Sequence, residues 1–220
     1  MWFFDRFKRT REFLNQDNLE QTPISYSPAP GDIELPRDLA LLVIDVQKEF
    51  CDPNGSRGNK ETREVSQRIK NLVPEFRKAG IPVYVIYFAE QAKKVKDIDF
   101  YEFRPEKGDF IVAKNDDSAF QGSHIGKMLE KHGRKMLLAC GFNLNACVFN
   151  TVMDARSKGY GVHLLRDLTG NDDHNDSSST ESYLKQMQDK GVIITNAKDE
   201  LRAINTANAV NSARPKMANA

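Results

Sequence analysis

Apolar residues occur along the chain as short continuous runs, separated by longer segments in which they recur at helical spacing. The short runs predict buried strands near 39–44, 83–88, 110–113, 136–140, 162–165 and 192–195. The longer segments predict amphipathic helices near 61–79, 123–132, 147–158 and 178–190. Alternation of strands and helices is typical of βαβ units, so the pattern predicts an α/β fold.

Three of the predicted strands are followed by a residue that can take part in covalent chemistry. Asp45 follows the first strand, Lys114 follows the third, and Cys147 opens the helix after the fourth. In a parallel sheet the carboxyl ends of the strands form the crevice where ligands bind. We therefore expect a site in which Asp45 deprotonates a thiol, Lys114 holds the charges and Cys147 attacks.

The residues around these positions resemble the three motif blocks of the isochorismatase-like cysteine hydrolases. The blocks are Asp45-x-Gln47-x-x-Phe50, Lys114 followed by Ser118-Ala-Phe120, and Gly141 followed by Cys147-Val148, within a similarity from about Leu39 to Thr195. The resemblance implies a Rossmann-like three-layer α/β/α sandwich with a parallel sheet of about six strands. It also implies a catalytic triad of Asp45, Lys114 and Cys147, with Phe50 as a substrate-binding aromatic residue.

The resemblance further implies an oxyanion hole beside the cysteine. A cis peptide between Phe142 and Asn143 would direct the backbone N–H groups of Asn143 and Cys147 at one point. Leu144 departs from the family pattern, which usually has threonine there. A backbone donor is unaffected by such a side-chain change.

The family resemblance also bears on metal content and on the reaction. Family members that deamidate nicotinamide hold a metal with histidines between the aspartate and lysine blocks, whereas residues 88–109 contain no histidine. We therefore expect neither a metal nor a cofactor. The presence of Cys147 favours a covalent route, with Lys114 lowering the thiol pKa. The prediction is a metal-independent cysteine hydrolase that cleaves an amide, carbamoyl or ureido C–N bond of a small molecule through a thioester.

Four other interpretations remain open, one of which is a redox role for the thiol. A vinyl ether hydrolase of the isochorismatase type would share the fold without needing the cysteine, and a catalytically quiet member would act as an interaction module. A Cys-His-Asp hydrolase would instead require one of His124, His132, His163 or His174. No glycine-cysteine-glycine turn surrounds Cys147, which disfavours a glutamine amidotransferase.

Composition indicates which classes of partner and which cellular compartment to expect. The 32 Lys and Arg residues nearly balance the 31 Asp and Glu residues, so a small-molecule substrate is favoured and nucleic acid is not. Three cysteines without CxxC spacing suit a reducing compartment. Because no apolar run of membrane-spanning length and no secretory signal is evident, we expect a cytoplasmic protein. Family resemblance favours a homo-oligomer.

The chain divides into three parts by composition. Residues 1–35 combine an amphipathic arm with a Pro-rich linker, residues 36–202 form the predicted hydrolase domain, and residues 203–220 form a polar tail without periodicity. The arm suits docking on a partner subunit, on an anionic membrane surface or on its own domain. The sequence leaves these three roles open.

Overall fold

A computed structural model describes residues 38–90, 98–171 and 177–213. The amphipathic arm, the Pro-rich linker and His174 lie outside these ranges. The described part contains a six-stranded parallel sheet. Its strands are β1 (Leu39–Ile44), β2 (Val83–Phe88), β3 (Phe110–Lys114), β4 (Met136–Gly141), β5 (Gly161–Thr169) and β6 (Ile193–Thr195).

The strand order places the crevice of the sheet between β1 and β4. The order is β3-β2-β1-β4-β5-β6, so the chain moves outward in one direction from β1 and then in the other from β4. Such a reversal opens a gap at the carboxyl ends of the two central strands, which is where ligands bind in open α/β sheets. Both central strands are apolar and almost completely buried, as expected for strands covered on both faces.

Helices flank the sheet in two groups. They are α1 (Lys48–Cys51), α2 (Lys60–Lys78), α3 (Ala119–Gly122), α4 (Ile125–Lys131), α5 (Phe149–Ser157), α6 (Ser177–Asp189) and α7 (Ala197–Ala213), and a π-helical turn at Leu144–Val148 precedes α5. Contacts join α1, α2 and α7 in one group, and α3 to α6 in the other. The predicted α/β fold with a parallel sheet of about six strands is confirmed.

The beginning of the helix at Cys147 differs from the sequence prediction. The helix was expected to open on Cys147, but the π-helical turn begins at Leu144 and contains the cysteine. The carbonyl of Asn143 accepts hydrogen bonds from the N–H groups of both Ala146 and Val148, at 3.1 Å each. The widened first turn therefore begins directly after Asn143, the second residue of the Phe142–Asn143 peptide bond.

The predicted polar tail is wrong over its first part. Helix α7 crosses the expected boundary after residue 202 and continues to Ala213. Leu201, Ile204 and Ala207 are buried along one side of it, and Asn208 donates a hydrogen bond to the carbonyl of Ala79 at 3.2 Å. The helix was not predicted because its apolar stripe is narrow and the surrounding residues are mainly Ala and Asn.

A glycine allows β1 and β4 to meet closely at the crevice. Gly141 has a φ of +121°, and a Cβ atom built there would lie 2.0 Å from the carbonyl oxygen of Ile44. No other residue type fits such a separation or favours this backbone conformation. The glycine of the third motif block therefore sets the spacing of the two strands beside Cys147.

Across the described residues, no helix combines the length and apolarity needed to cross a membrane.

Candidate active site

The structure brings Asp45, Lys114 and Cys147 into direct contact. Nζ of Lys114 lies 2.9 Å from Oδ2 of Asp45 and 3.2 Å from Sγ of Cys147. Asp45 and Lys114 are 0% exposed, whereas Cys147 keeps 6% of its surface exposed. The thiol is therefore the member of the group that an incoming molecule can reach first.

Lys114 reaches Asp45 by passing over the end of β2. Strands β1 and β3 are separated by β2, a distance of about 10 Å for two strand spacings. Phe88 pairs with Lys114 in the β2–β3 register, and Nζ lies 4.2 Å from the centre of its ring. The ring supports the ammonium group by a cation–π contact. A side chain as long as lysine is needed to span this gap.

A tight turn after β1 positions the carboxylate of Asp45. Asp45 has a φ of +52°, a left-handed conformation that aspartate adopts more readily than most residues. Its carbonyl accepts a hydrogen bond from the N–H of Gln47 at 2.8 Å. The buried Gln47 side chain accepts a 2.7 Å hydrogen bond from the N–H of Phe88 and donates to the Phe88 carbonyl at 3.4 Å. Gln47 thus fixes the end of β2 beneath Lys114.

The loop after Lys114 is joined to the helix that follows Cys147. The hydroxyl of buried Ser118 donates to Asp154 of α5 at 2.5 Å. The N–H of Ala119 donates to the hydroxyl of Thr151, also in α5, at 3.0 Å. Ser118 and Ala119 of the second motif block therefore hold the loop after Lys114 against α5, which follows the thiol in the chain.

The two residues expected to form the oxyanion hole lie at the beginning of the π-helical turn and within it. Asn143 immediately precedes the turn and Cys147 lies within it, and both are buried. The peptide bond between Phe142 and Asn143 is cis, as the family resemblance implied. The role of their N–H groups as oxyanion donors stays a prediction.

Burial and charge act on all three titratable groups of the site. Burial raises the pKa of Asp45, with the nearby Lys114 ammonium opposing it. Burial alone would lower the pKa of Lys114, but the charges of Asp45 and Cys147 outweigh it and raise that pKa. Lys114 therefore keeps its proton, and its attraction for the carboxylate form of Asp45 opposes the effect of burial.

The expected lowering of the thiol pKa is wrong for the resting site. Burial, followed by the negative charge of Asp45, raises the pKa of Cys147 well above its usual value, although Lys114 opposes this. The resting cysteine is consequently a neutral thiol. The side chain of Asp45 is in hydrogen-bond contact with this thiol, so its carboxylate can accept the thiol proton.

Asp117 is a neighbour of the thiol that the sequence prediction did not include. Its Oδ1 lies 3.8 Å from Sγ of Cys147, and its side chain is half-buried. The signal was its position three residues after Lys114, in the same predicted loop. A sequence pattern cannot show which way that loop turns.

Phe50 lies deeper than a typical pocket wall. It is 4% exposed and belongs to the hydrophobic core, where the guanidinium of Arg57 lies 5.6 Å from the centre of its ring. Its assignment to substrate binding stays a prediction.

Two of the four histidines make their hydrogen bonds away from the thiol. Nδ1 of His132 lies 2.6 Å from the hydroxyl of Tyr84, and Nδ1 of His163 lies 2.8 Å from Glu200. These contacts do not favour a Cys-His-Asp arrangement around Cys147.

Potential metal ligands are scattered in the described part of the chain. Within residues 38–90, 98–171 and 177–213, no three His, Cys, Asp or Glu side chains form a group that could hold a metal ion. The donor set that a metal-dependent relative would need is therefore not offered by these residues.

A separate concave surface of about 680 Å³ lies away from the triad. It runs along α3 and α4 to the turn before β5, and its lining includes Phe120, His124 and Tyr160 but none of the three triad residues. The reactive groups lie at the carboxyl ends of β1, β3 and β4, so this surface is not the candidate active site.

Comparison with known proteins identifies the family. A model of the isochorismatase domain matches residues 39–199. The chain belongs to the isochorismatase family. This family membership and the predicted hydrolase class are thereby confirmed.

Individual relatives are similar over most of the domain. The secreted isochorismatase effector Isc1 of Verticillium dahliae is 27% identical over 145 residues, covering 62% of this chain and 75% of the relative. A cysteine hydrolase from Pseudomonas syringae pv. phaseolicola has the same fold, with a TM-score of 0.69 at 22% identity, covering 78% of this chain and 94% of its own. The N-carbamoylsarcosine amidase from Thermoplasma acidophilum gives a TM-score of 0.60 at 21% identity, with 73% and 96% covered.

Proposed function

We propose that this isochorismatase-family protein is a metal-independent cysteine hydrolase that cleaves a C–N bond of a small molecule. The scissile group is an amide, carbamoyl or ureido group, and the intermediate is a thioester on Cys147. One observation carries the proposal: the ammonium of Lys114 contacts both the carboxylate of Asp45 and the thiol of Cys147 in a buried site. Vinyl ether hydrolysis by water does not need this thiol.

The first half of the reaction forms the thioester. The carboxylate of Asp45 takes the thiol proton while Sγ of Cys147 attacks the carbonyl carbon of the substrate. The carbonyl oxygen becomes negative and receives hydrogen bonds from the N–H groups of Asn143 and Cys147, each donor contributing about 3 kcal/mol. Asp45 then gives its proton to the nitrogen as the C–N bond breaks, and ammonia or an amine leaves.

The second half releases the acid. Asp45, again a carboxylate, takes a proton from water as the water oxygen attacks the thioester carbonyl. The C–S bond breaks, and the sulfur recovers the proton from Asp45. Lys114 keeps its proton throughout and offsets the negative charge as it moves between the carboxylate, the substrate oxygen and the sulfur.

The raised pKa of the resting thiol fits this order of events. A thiol that stays neutral until a substrate arrives requires an internal base, and Asp45 is adjacent to it. Proton transfer then accompanies the attack rather than preceding it. The similarity in fold to an N-carbamoylsarcosine amidase supports a C–N bond as the target.

Ammonia release tests the proposal. Wild type and Cys147→Ala would be incubated with primary amides, N-carbamoyl amino acids and ureido acids, in parallel series with and without a metal chelator. We expect at least one compound to release ammonia with wild type and none with the variant. Turnover retained by Cys147→Ala would contradict the thioester route, and turnover abolished by the chelator would contradict metal independence.

The predicted homo-oligomer, the cytoplasmic location and the role of residues 1–35 stay predictions. Deletion of residues 1–30 distinguishes a hydrolase from an interaction module. A hydrolase keeps its turnover after the deletion, whereas an interaction module that works through the arm loses its partner.

A further inference from the structure

The carboxylate of Asp117 stands at the accessible side of the nucleophile. Its Oδ1 lies 3.8 Å from Sγ of Cys147, and its side chain is half-buried while Asp45 and Lys114 are fully buried. Asp117 belongs to the loop between β3 and α3, which Ser118 joins to α5. The loop therefore holds a negative charge where a substrate must approach the thiol.

All three N–H donors of Lys114 are engaged within the resting site. An ammonium group has three N–H donors. Those of Lys114 are directed at Oδ2 of Asp45 at 2.9 Å, at the carbonyl of Asp116 at 3.0 Å and at Sγ of Cys147 at 3.2 Å. Its charge offsets that of Asp45, so the resting lysine has no N–H left for an anionic group beside the thiol, where Asp117 supplies the nearest further carboxylate.

We propose that Asp117 is a specificity residue that selects substrates with a protonated nitrogen or another N–H donor next to the scissile carbonyl group. The inference rests on the proposed function of the site and names its substrate class. An ammonium, amidinium or ureido N–H group can donate to Oδ1 of Asp117 while the carbonyl carbon lies over Sγ of Cys147. A carboxylate at that place is repelled, which disfavours the anionic N-carbamoyl amino acids and isochorismate itself.

The titration of the neighbouring groups is consistent with this assignment. Burial and the Asp45 charge are the main reasons why the pKa of Cys147 is raised, and Asp117 raises it further. Asp117 also adds to the raised pKa of Asp45. A cation bound against Asp117 would offset both contributions, so a substrate of the matching charge would also favour loss of the thiol proton.

Charged thiol reagents test the selectivity without knowledge of the substrate. The probes are two methanethiosulfonates of similar size, one with a trimethylammonioethyl group and one with a sulfonatoethyl group. The measured quantity is the ratio of their second-order rate constants at Cys147, followed by peptide mass spectrometry and normalised to a cysteine peptide. We expect wild type to favour the cation, and Asp117→Asn to lower the ratio about tenfold, as expected for one charge at short range under partial screening.

Two matched variants control for effects other than the charge at this position. Asp117→Glu keeps the charge and should keep the preference for the cation. Asp189→Asn removes one negative charge from the exposed end of α6, where the side chain is 64% exposed, and should leave the ratio unchanged. Asp117→Ser repeats the test with a smaller side chain, in case the asparagine variant is poorly folded. A ratio that is equal in wild type, Asp117→Asn and Asp117→Ser would overturn the assignment.

The outcome can be separated from that of the proposed function. If no amide is hydrolysed but the reagent ratio falls in Asp117→Asn, the hydrolase proposal fails and the charge selectivity stands. If amides are hydrolysed through Cys147 but the ratio is unchanged, the selectivity fails alone. With a substrate in hand, kcat/KM of Asp117→Asn should fall about tenfold for an ammonium-bearing amide relative to its neutral isostere.

Discussion

The hydroxyl of Ser118 donates a 2.5 Å hydrogen bond to Asp154, which joins the loop after Lys114 to the helix after Cys147. Ser118 is buried, and its oxygen also accepts from the N–H of Phe120 at 3.2 Å. The lysine and the cysteine come from strands at different positions in the sheet. Their 3.2 Å contact therefore depends on this cross-connection as well as on the strands themselves.

Replacement of Ser118 by alanine should cost both stability and activity. Loss of a half-buried hydrogen bond to a carboxylate is expected to lower the free energy of unfolding by about 2 kcal/mol. Because the loop is released, kcat/KM should fall as well. Chemical denaturation and turnover would be compared with Ser157→Ala, whose exposed hydroxyl donates to the carbonyl of Met153 on the same helix. Equal effects of the two variants would contradict the connecting role.

Gly141→Ala should be more damaging than Gly159→Ala. Both glycines have a positive φ, +121° and +86°, so both variants force an L-residue into a disfavoured conformation. The space around Gly159 is open, whereas a Cβ at Gly141 would lie 2.0 Å from the carbonyl oxygen of Ile44. We expect a loss of about 1 kcal/mol at Gly159 and a clearly larger loss at Gly141, with reduced activity. Thermal unfolding of the two purified variants checks the order.

The stability contributed by Asp45 should fall as the pH rises. The pKa of Asp45 is raised in the folded state by burial, so the folded state holds its proton to a higher pH than the unfolded state does. This contribution is fully present below the ordinary carboxyl pKa of about 4 and is lost as the pH rises through the folded-state value.

Asp45→Asn isolates that contribution. The variant also leaves Lys114 without its carboxylate partner, which should lower stability by about 3 kcal/mol or more at neutral pH. The difference in free energy of unfolding between wild type and Asp45→Asn should therefore decrease from pH 4 to pH 7. Urea denaturation at several pH values measures it, and an increase of the difference over that range would contradict the raised pKa.

Cys147 should alkylate slowly at neutral pH in the absence of substrate. Burial and the charge of Asp45 raise the pKa of the thiol, so the reactive thiolate is scarce until the pH is well above the usual thiol range. Iodoacetamide labelling from pH 6 to 10, followed by peptide mass spectrometry, should show a rate below that of a cysteine peptide at pH 7. Cys51 and Cys140 are completely buried and should label more slowly still. A labelling rate at Cys147 that saturates below pH 8 would show that the resting thiol is already ionised.

The sequence predicted the strands well because each contains a short apolar run, and the central strands β1, β2 and β4 are covered on both faces. The edge strands β3 and β6 keep Ile111 and Ile193 exposed. The prediction that Asp45, Lys114 and Cys147 meet followed from the strand pattern, since parallel strands present their carboxyl ends at one edge. The route of Lys114 over Phe88 could not be predicted, because it depends on β2 lying between β1 and β3.

Features that depend on local hydrogen bonds could not be predicted from the spacing of apolar residues. The π-helical turn around Cys147 depends on the Asn143 carbonyl, which accepts hydrogen bonds from two N–H groups. The spacing of apolar residues does not indicate such a hydrogen-bond pattern. Asp117 approaches the thiol because the loop after Lys114 bends toward α5 through Ser118. The direction of the thiol pKa shift likewise required knowledge of burial, since the sequence showed only that Asp45 and Lys114 carry opposite charges.

The most direct test of the account is detection of the acyl intermediate on Cys147. A substrate identified by ammonia release would be mixed with the protein, quenched in acid within the first turnovers and examined by intact and peptide mass spectrometry. We predict an adduct on the Cys147 peptide whose mass equals the acyl part of the substrate, formed by wild type and absent from Cys147→Ala. Steady turnover by Cys147→Ala would contradict the thioester mechanism. The mechanism would also be contradicted if wild type released its first product in a burst but no adduct formed on Cys147.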